Sequence, residues 1–63
     1  MNDFKTRLDD EMKALSEKIE NLKDFLKSDK ANEIDKIQLA LLGLQLPAME
    51  IYLKCLEERY SRL

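Results

Sequence analysis

The chain has 63 residues with one glycine, one proline, one cysteine and no histidine, and its formal net charge is −2. A lone cysteine excludes an intrachain disulfide, and the lack of histidine and of a cysteine cluster excludes the common zinc sites. The charges are well mixed, without the basic excess of a general nucleic-acid binder, so neither DNA nor RNA is expected as a partner.

The short length limits the chain to one domain, residues 1–63, and makes a stable monomer difficult to achieve. Small chains usually gain stability from disulfides, a metal or self-association, and this composition leaves only self-association. Hydrophobic residues make up 44% of the chain, which is too many for a disordered segment. We therefore expect a helical association domain.

The first half of the chain predicts one long helix, residues 3–27. From Leu8 its apolar residues recur at alternating spacings of four and three, which is typical of the seam of a packed helix, and Phe4 extends the row towards the N-terminus. The rest of the helix surface is charged, so this helix has a single side to bury. The predicted seam comprises Phe4, Leu8, Met12, Leu15, Ile19, Leu22 and Leu26.

A short polar turn, residues 28–32, follows this helix, and Asn32 is a plausible N-cap for a second helix over residues 33–62. A connection this short implies that the second helix runs antiparallel to the first. The predicted fold class is therefore all-α, an antiparallel helical hairpin that assembles as a homo-oligomer.

The second helix carries two apolar stripes on different sides. The first consists of Leu39, Leu42, Leu46, Met49, Leu53, Leu56, Tyr60 and Leu63. The second consists of Ile37, Leu41, Leu44, Ala48, Ile51 and Cys55. Because the first helix can cover only one stripe, we expect the second to pack against copies of the chain, with a groove for a different partner as the alternative. Cys55 is expected to be buried there and unreactive.

Pro47 lies inside this second helix, where it removes one backbone hydrogen bond and clashes with the carbonyl of Gly43. We expect a kink near residues 43–47, and a complete break into a three-helix chain is the alternative.

The segments that direct proteins to membranes are not expected here. The polar start of the chain lacks the apolar region of a signal peptide. The longest mostly apolar run, residues 39–49, is shorter than the roughly 20 residues that span a bilayer. We therefore expect a cytoplasmic protein without membrane contact.

No catalytic constellation is visible in the sequence. Without histidine there is no imidazole base, and there is no glycine-rich phosphate loop. The carboxylates lie on solvated helix faces, so no acid–base pair can be singled out. We expect a protein that is not an enzyme and uses no cofactor.

The two chain ends meet in an antiparallel hairpin, and both carry cationic and aromatic residues. Cations bind phosphate and aromatic rings stack on bases, so the ends can form a pocket for a small phosphorylated ligand. Arginines that complement a helix dipole and tyrosines at the rim of a core are the alternative. The candidate ligand-binding residues are Phe4, Lys5, Arg7, Tyr52, Arg59, Tyr60 and Arg62.

The chain also resembles a family of very short bacteriophage accessory proteins related to those of crAss-like phages. The resemblance rests on an Arg-x-x-x-Glu pattern at Arg7 and on two longer stretches. These are Lys18, Ile19, Leu22, Phe25 and Leu26 in the first helix, and Leu41, Leu42, Gln45, Leu46, Met49 and Tyr52 in the second. Pro47 and Gly43 depart from the pattern, in which ordinary helix formers occupy these positions.

The hairpin layout is similar to that of phage anti-CBASS and anti-Thoeris sponge proteins. This similarity implies a helical oligomer that sequesters a cyclic nucleotide or cyclic ADP-ribose immune signal, binding it without cleavage, in the host bacterial cytoplasm. A small interaction protein that inhibits a host protein, or a structural oligomer, is the alternative.

Overall fold

The computed structural model describes residues 3–63 as a rod of 47 × 15 × 13 Å. Helix α1 spans Asp3–Lys27 and helix α2 spans Lys36–Ser61, with a short 3-10 helix at Asp29–Glu33 between them. The two long helices pack against each other along the rod, and no strand occurs in this part of the chain. The predicted all-α hairpin is confirmed.

The bounds of α1 coincide with the predicted helix over residues 3–27. Leu8, Leu15 and Ile19 are buried at intervals of seven and four, as a seam against one neighbouring helix requires. The helix ends where Ser28 folds back, because both its backbone N–H (3.0 Å) and its hydroxyl (2.7 Å) donate to the Phe25 carbonyl.

Helix α2 begins at Lys36, three residues after the predicted start. The cap is Asp35, whose Oδ2 accepts hydrogen bonds from the backbone N–H groups of Ile37 (3.1 Å) and Gln38 (3.2 Å). Asn32, the predicted cap, lies instead within the 3-10 helix. The connection is thus longer and more ordered than a simple turn, and its buried Ala31 holds it against α1.

The core lies between the two long helices. Leu8, Leu15 and Ile19 from α1 meet Leu56 from α2, whose exposure is 0%. The first apolar stripe of α2 therefore faces α1, as predicted, except that Leu63 lies beyond the end of α2 and is 56% exposed. Five partly buried side chains complete this core: Met12, Leu46, Met49, Leu53 and Tyr60.

The second apolar stripe of α2 is exposed along its whole length, and we call it the open face. It consists of Ile37, Leu41, Leu44, Ala48, Ile51 and Cys55. The prediction that α1 covers only one stripe is confirmed, since Ile37, Leu44 and Ile51 are 66% to 70% exposed. The predicted burial of Cys55 is wrong for the single hairpin, because α1 lies on the opposite side of α2.

Pro47 lies inside a helix that is continuous from Lys36 to Ser61, so the predicted alternative of a break into three helices is wrong. Proline has no backbone N–H, and the Gly43 carbonyl therefore lacks its usual helical partner. Both residues are exposed, so water can satisfy this carbonyl. The kink near residues 43–47 stays a prediction.

Helix α2 is long and apolar enough to cross a membrane, judged by length and composition alone. The apolar run over residues 39–49 ends at Glu50, the first charge after Lys36, and α2 continues beyond it to Ser61. In the hairpin, Glu50 lies 3.5 Å from the ammonium group of Lys23 on α1. One charge within the apolar part of α2 is therefore paired with the polar helix beside it.

Candidate ligand-binding site

The first turn of α1 and the last turns of α2 meet at the open end of the hairpin. The Arg59 guanidinium carbon lies 5.9 Å from the centroid of the Phe4 ring, and the Lys5 ammonium lies 5.2 Å from the centroid of the Tyr60 ring. Each pair joins one helix to the other. Cations at these distances are attracted to the ring faces, so the pairs hold the two ends together.

Beside these pairs lies an open groove of about 300 Å³ lined by Phe4, Arg7, Leu8, Glu11 and Arg59. This volume is at the lower end of the range for small-ligand sites. The buried Leu8 and the half-exposed Phe4 supply apolar surface, and the remaining three residues supply charge. We call this the end groove.

The charges of the end groove are two guanidinium groups, from Arg7 and Arg59, and the carboxylate of Glu11. The hydroxyl of Tyr52 on α2 donates a hydrogen bond to Glu11 Oε2 on α1, which fixes that carboxylate at the edge of the groove. Arg7 Nε donates to the Asp3 carbonyl (3.4 Å) one turn earlier. The groove therefore suits an anion that also carries hydrogen-bond donors for Glu11.

The structure brings six of the seven candidate residues together. Phe4, Arg7 and Arg59 line the end groove, while Lys5 and Tyr60 form the adjacent cation–aromatic pair. Tyr52 reaches the groove through Glu11.

Arg62 is the exception among the candidates. Its guanidinium lies 3.7 Å from the Glu58 carboxylate on its own helix, and its side chain is 79% exposed. Arg62 therefore lies outside the groove.

Two lining residues were not among the predicted site residues: Leu8, which was predicted only for the helix seam, and Glu11, which supplies the groove's carboxylate. The position of Glu11 is readable in retrospect, because Phe4, Leu8 and Glu11 follow each other at the four-and-three spacing of one helix face. A search for cationic and aromatic residues alone passes over a carboxylate. Its contact with Tyr52 depends on the pairing of the two helices, which no local pattern specifies.

A second, smaller groove of about 200 Å³ lies nearer the middle of the hairpin. Its one cation, Lys13, lies 3.0 Å from Asp9, and the hydrogen bond and charge of Asp9 raise the pKa of Lys13 above its ordinary value. Glu57 adds a second carboxylate. This surplus of negative charge makes the second groove a poorer anion site than the end groove.

Comparisons with known proteins give one family. Neither the curated proteins nor the solved structures include a match to this chain. A sequence model of the Sequestin family matches residues 2–62, which is all but the first and last residue. The family name indicates a sequestering protein. With a match over nearly its whole length, this chain belongs to the Sequestin family.

Proposed function

We propose that this protein sequesters a cyclic nucleotide signal of bacterial immunity by binding it in the end groove without cleaving it. The observation that supports the proposal most is the pairing of two arginines with an aromatic ring in one small groove, at Arg7, Arg59 and Phe4. Membership of a family named for sequestration agrees with it.

The groove residues have complementary tasks in this proposal. The guanidinium groups of Arg7 and Arg59 bind phosphate oxygens, for which their planar arrays of N–H donors are suited. A base stacks on Phe4 in the place that the Arg59 guanidinium occupies in the structure. Arg59 then moves from the ring to the phosphate, so stacking and charge pairing occur together.

Glu11 completes the recognition by accepting hydrogen bonds from the ligand. Its carboxylate is held by the Tyr52 hydroxyl, so it acts as a fixed acceptor for a base amino group or a ribose hydroxyl. No nucleophile is assigned in this mechanism, and the ligand leaves the groove chemically unchanged. Inhibition is therefore stoichiometric, which requires protein in excess over the signal.

In this proposal the protein acts inside an infected bacterium. The resemblance to small phage proteins supports a phage origin and action in the cytoplasm of the infected bacterium, where the immune signal is made. A binding protein of this kind acts by lowering the free concentration of the signal below the level that its effector detects.

Calorimetric titration of the purified chain with cyclic dinucleotides, cyclic trinucleotides and cyclic ADP-ribose isomers tests the proposal. Arg59→Gln should weaken binding at least 10-fold, since it removes a charge-assisted hydrogen bond to phosphate worth roughly 1.5–3 kcal/mol. Arg62→Gln is the matched control, because it removes the same charge outside the groove, and binding should change less than about twofold.

A second measurement tests whether the ligand is cleaved. The complex is heated to release the ligand, and mass spectrometry should then show the ligand intact. Absence of binding by every ligand at micromolar concentrations, or return of cleaved ligand, overturns the proposal.

A second candidate function is supported by the open face of α2. Six exposed apolar positions on one side of a helix are typical of a helix that inserts into a partner's groove. In this alternative the protein inhibits a host protein, or forms part of a structural oligomer. Retention of one host protein by the native chain but not by Leu44→Glu, together with failure of every nucleotide, would favour it.

A further inference from the structure

The charged side chains of the end groove sum to one positive charge. Arg7 and Arg59 each contribute a guanidinium group, and Glu11 contributes a carboxylate. A carboxylate repels the oxygens of any phosphate that the guanidinium groups attract. Acceptance of hydrogen bonds from a ligand needs an oxygen atom but not a charge, because an amide side chain also accepts them. The charge of Glu11 therefore points to a second task, which is to limit the negative charge that the groove accepts.

Contacts within the hairpin keep this carboxylate at the groove. The hydroxyl of Tyr52 on α2 donates a hydrogen bond to Glu11 Oε2 on α1. Arg7 precedes Glu11 by four residues, a spacing at which oppositely charged side chains often pair on a helix. The Nε of Arg7 donates instead to the Asp3 carbonyl (3.4 Å) one turn earlier. The partner that positions the carboxylate is thus an uncharged hydroxyl, which leaves the negative charge in place.

Phosphate esters differ in what they would present to this carboxylate. A phosphate linked on both sides carries about one negative charge. A terminal phosphate, linked on one side only, carries about −1.5 to −2 at pH 7 and has three acceptor oxygens. The single charge equals the net charge of the groove, whereas the terminal phosphate exceeds it. Neither a terminal phosphate dianion nor an ionised carboxylate has a proton to donate, so the two repel each other.

We propose that Glu11 restricts the end groove to nucleotides whose phosphates are all linked on both sides, and that it rejects nucleotides with a terminal phosphate. This selectivity rests on the proposed function and narrows the class of ligand. Every phosphate of a cyclic dinucleotide or of cyclic ADP-ribose is linked on both sides. Hydrolysis of one phosphodiester in a cyclic dinucleotide leaves a terminal phosphate. The groove therefore retains the intact signal and releases its linear product.

The second groove shows the opposite balance of charge within the same hairpin. It combines the ammonium group of Lys13 with the carboxylates of Asp9 and Glu57, so its charged side chains sum to one negative charge. Of these two grooves, the end groove is the one in which cations outnumber carboxylates by one. Its charges suit a single phosphate with one negative charge.

Calorimetric titration with matched probes tests this selectivity. The probes are cyclic di-AMP and cyclic di-GMP, each compared with its linear 5′-phosphorylated product, and cyclic ADP-ribose, compared with its 2′-phosphate. At pH 7.5 the native chain should bind the member without a terminal phosphate at least about 10-fold more tightly. In Glu11→Gln this preference should fall by about fivefold or more, because the repulsion is lost while both guanidinium groups remain.

Two further variants separate the charge of Glu11 from its position. Glu17→Gln is the matched control, because Glu17 is another exposed glutamate of α1 that lies outside the end groove, and the preference should change by less than about twofold. Tyr52→Phe keeps the carboxylate but removes the hydroxyl that positions it, so the preference should fall by about twofold. Circular dichroism should show all three variants folded, since the substituted side chains are exposed.

The pH dependence distinguishes repulsion from a structural effect of the substitution. A terminal phosphate gains its second charge at about pH 6, and the chain has no histidine that would change its charge in the same range. From pH 5.5 to 7.5 the native preference should therefore rise about threefold, and in Glu11→Gln it should stay level or fall. The charged or titratable side chains around the phosphate are Arg7 and Glu11 from α1, and Tyr52 and Arg59 from α2.

Two results would overturn this proposal and leave the proposed function standing. One is equal affinity of the native chain for both members of a pair that it binds. The other is an unchanged preference in Glu11→Gln, which would show that the carboxylate does not select between the phosphates. Absence of binding by every probe would instead remove the proposed function together with the selectivity, so the two failures are distinguishable.

Discussion

The two faces of α2 have nearly the same chemical composition but opposite surroundings. The face toward α1 contains Leu56, which is fully buried, whereas the open face contains Ile37, which is 70% exposed. Both follow the same helical spacing. The comparison teaches that periodicity specifies how many apolar faces a helix has, while the width of the neighbouring helix determines how many are covered. The open face stays exposed because α1 packs against the opposite side of α2 only.

Truncation of Leu56 to alanine should give the largest effect. A cavity replaces a fully buried side chain, so we expect the free energy of unfolding to fall by about 3 kcal/mol. Urea denaturation followed by far-ultraviolet circular dichroism measures it. Leu44→Ala on the open face is the control, and its cost should stay below about 1 kcal/mol at low protein concentration, because Leu44 is 69% exposed. Equal losses for both variants at high dilution would contradict the contrast between the faces.

Pro47→Ala should act in the opposite direction. The substitution restores the backbone hydrogen bond to the Gly43 carbonyl at an exposed helix position, so we expect a gain of about 2 kcal/mol in the free energy of unfolding. Thermal melts and helical ellipticity measure the gain. Ala40→Gly, at another exposed position of α2, should lower stability by about 1 kcal/mol. A neutral or destabilising result for Pro47→Ala would contradict the stated cost of the lost hydrogen bond at the Gly43 carbonyl.

Asp35→Ala tests what fixes the start of α2, the helix that carries both apolar faces. Loss of the two capping hydrogen bonds should lower the free energy of unfolding by about 1 kcal/mol. Asn32→Ala is the matched control at the cap that the sequence predicted, and we expect its effect to be within about 0.5 kcal/mol. A larger cost at Asn32 would show that the earlier position caps the helix in solution.

Tyr52→Phe should have the smallest effect on stability, about 0.5 kcal/mol, because its hydrogen bond with Glu11 is exposed to water. The substitution keeps the ring and removes only the hydroxyl that reaches Glu11 on α1. Urea denaturation at low protein concentration measures the change. A loss above about 2 kcal/mol would show that the Tyr52–Glu11 hydrogen bond is shielded from water and that this side of α2 is more buried than the single hairpin indicates.

The elements of the fold that depend on local patterns were predictable. The bounds of α1 and the stripe that packs against it follow from apolar spacing, and antiparallel packing follows from a short connection. The start of α2 was misplaced because Asn32 and Asp35 are both good capping residues. The 3-10 helix Asp29–Glu33, which contains Asn32 and buries Ala31 against α1, decides the outcome. The packing of Ala31 against α1 joins parts of the chain that are distant in sequence, so local patterns do not predict it.

The candidate site was predictable only to the level of the hairpin end. Once the helices are antiparallel, Phe4 and Arg59 must lie close to each other, and the structure places them so. Arg62 was included because a sequence does not show that a side chain will turn toward Glu58 on its own helix. Glu11 was missed because its role depends on a hydroxyl from the other helix.

Pro47 has a consequence for the chain before it folds. Without it, the uncharged stretch over residues 37–49 would be a strong candidate for β-aggregation in the unfolded state. Proline cannot donate to a strand ladder, so it shortens the segment that could join a growing fibril. A helix is the structure in which this segment can still form most of its hydrogen bonds. A residue that weakens the native helix therefore also protects the newly made chain from aggregation.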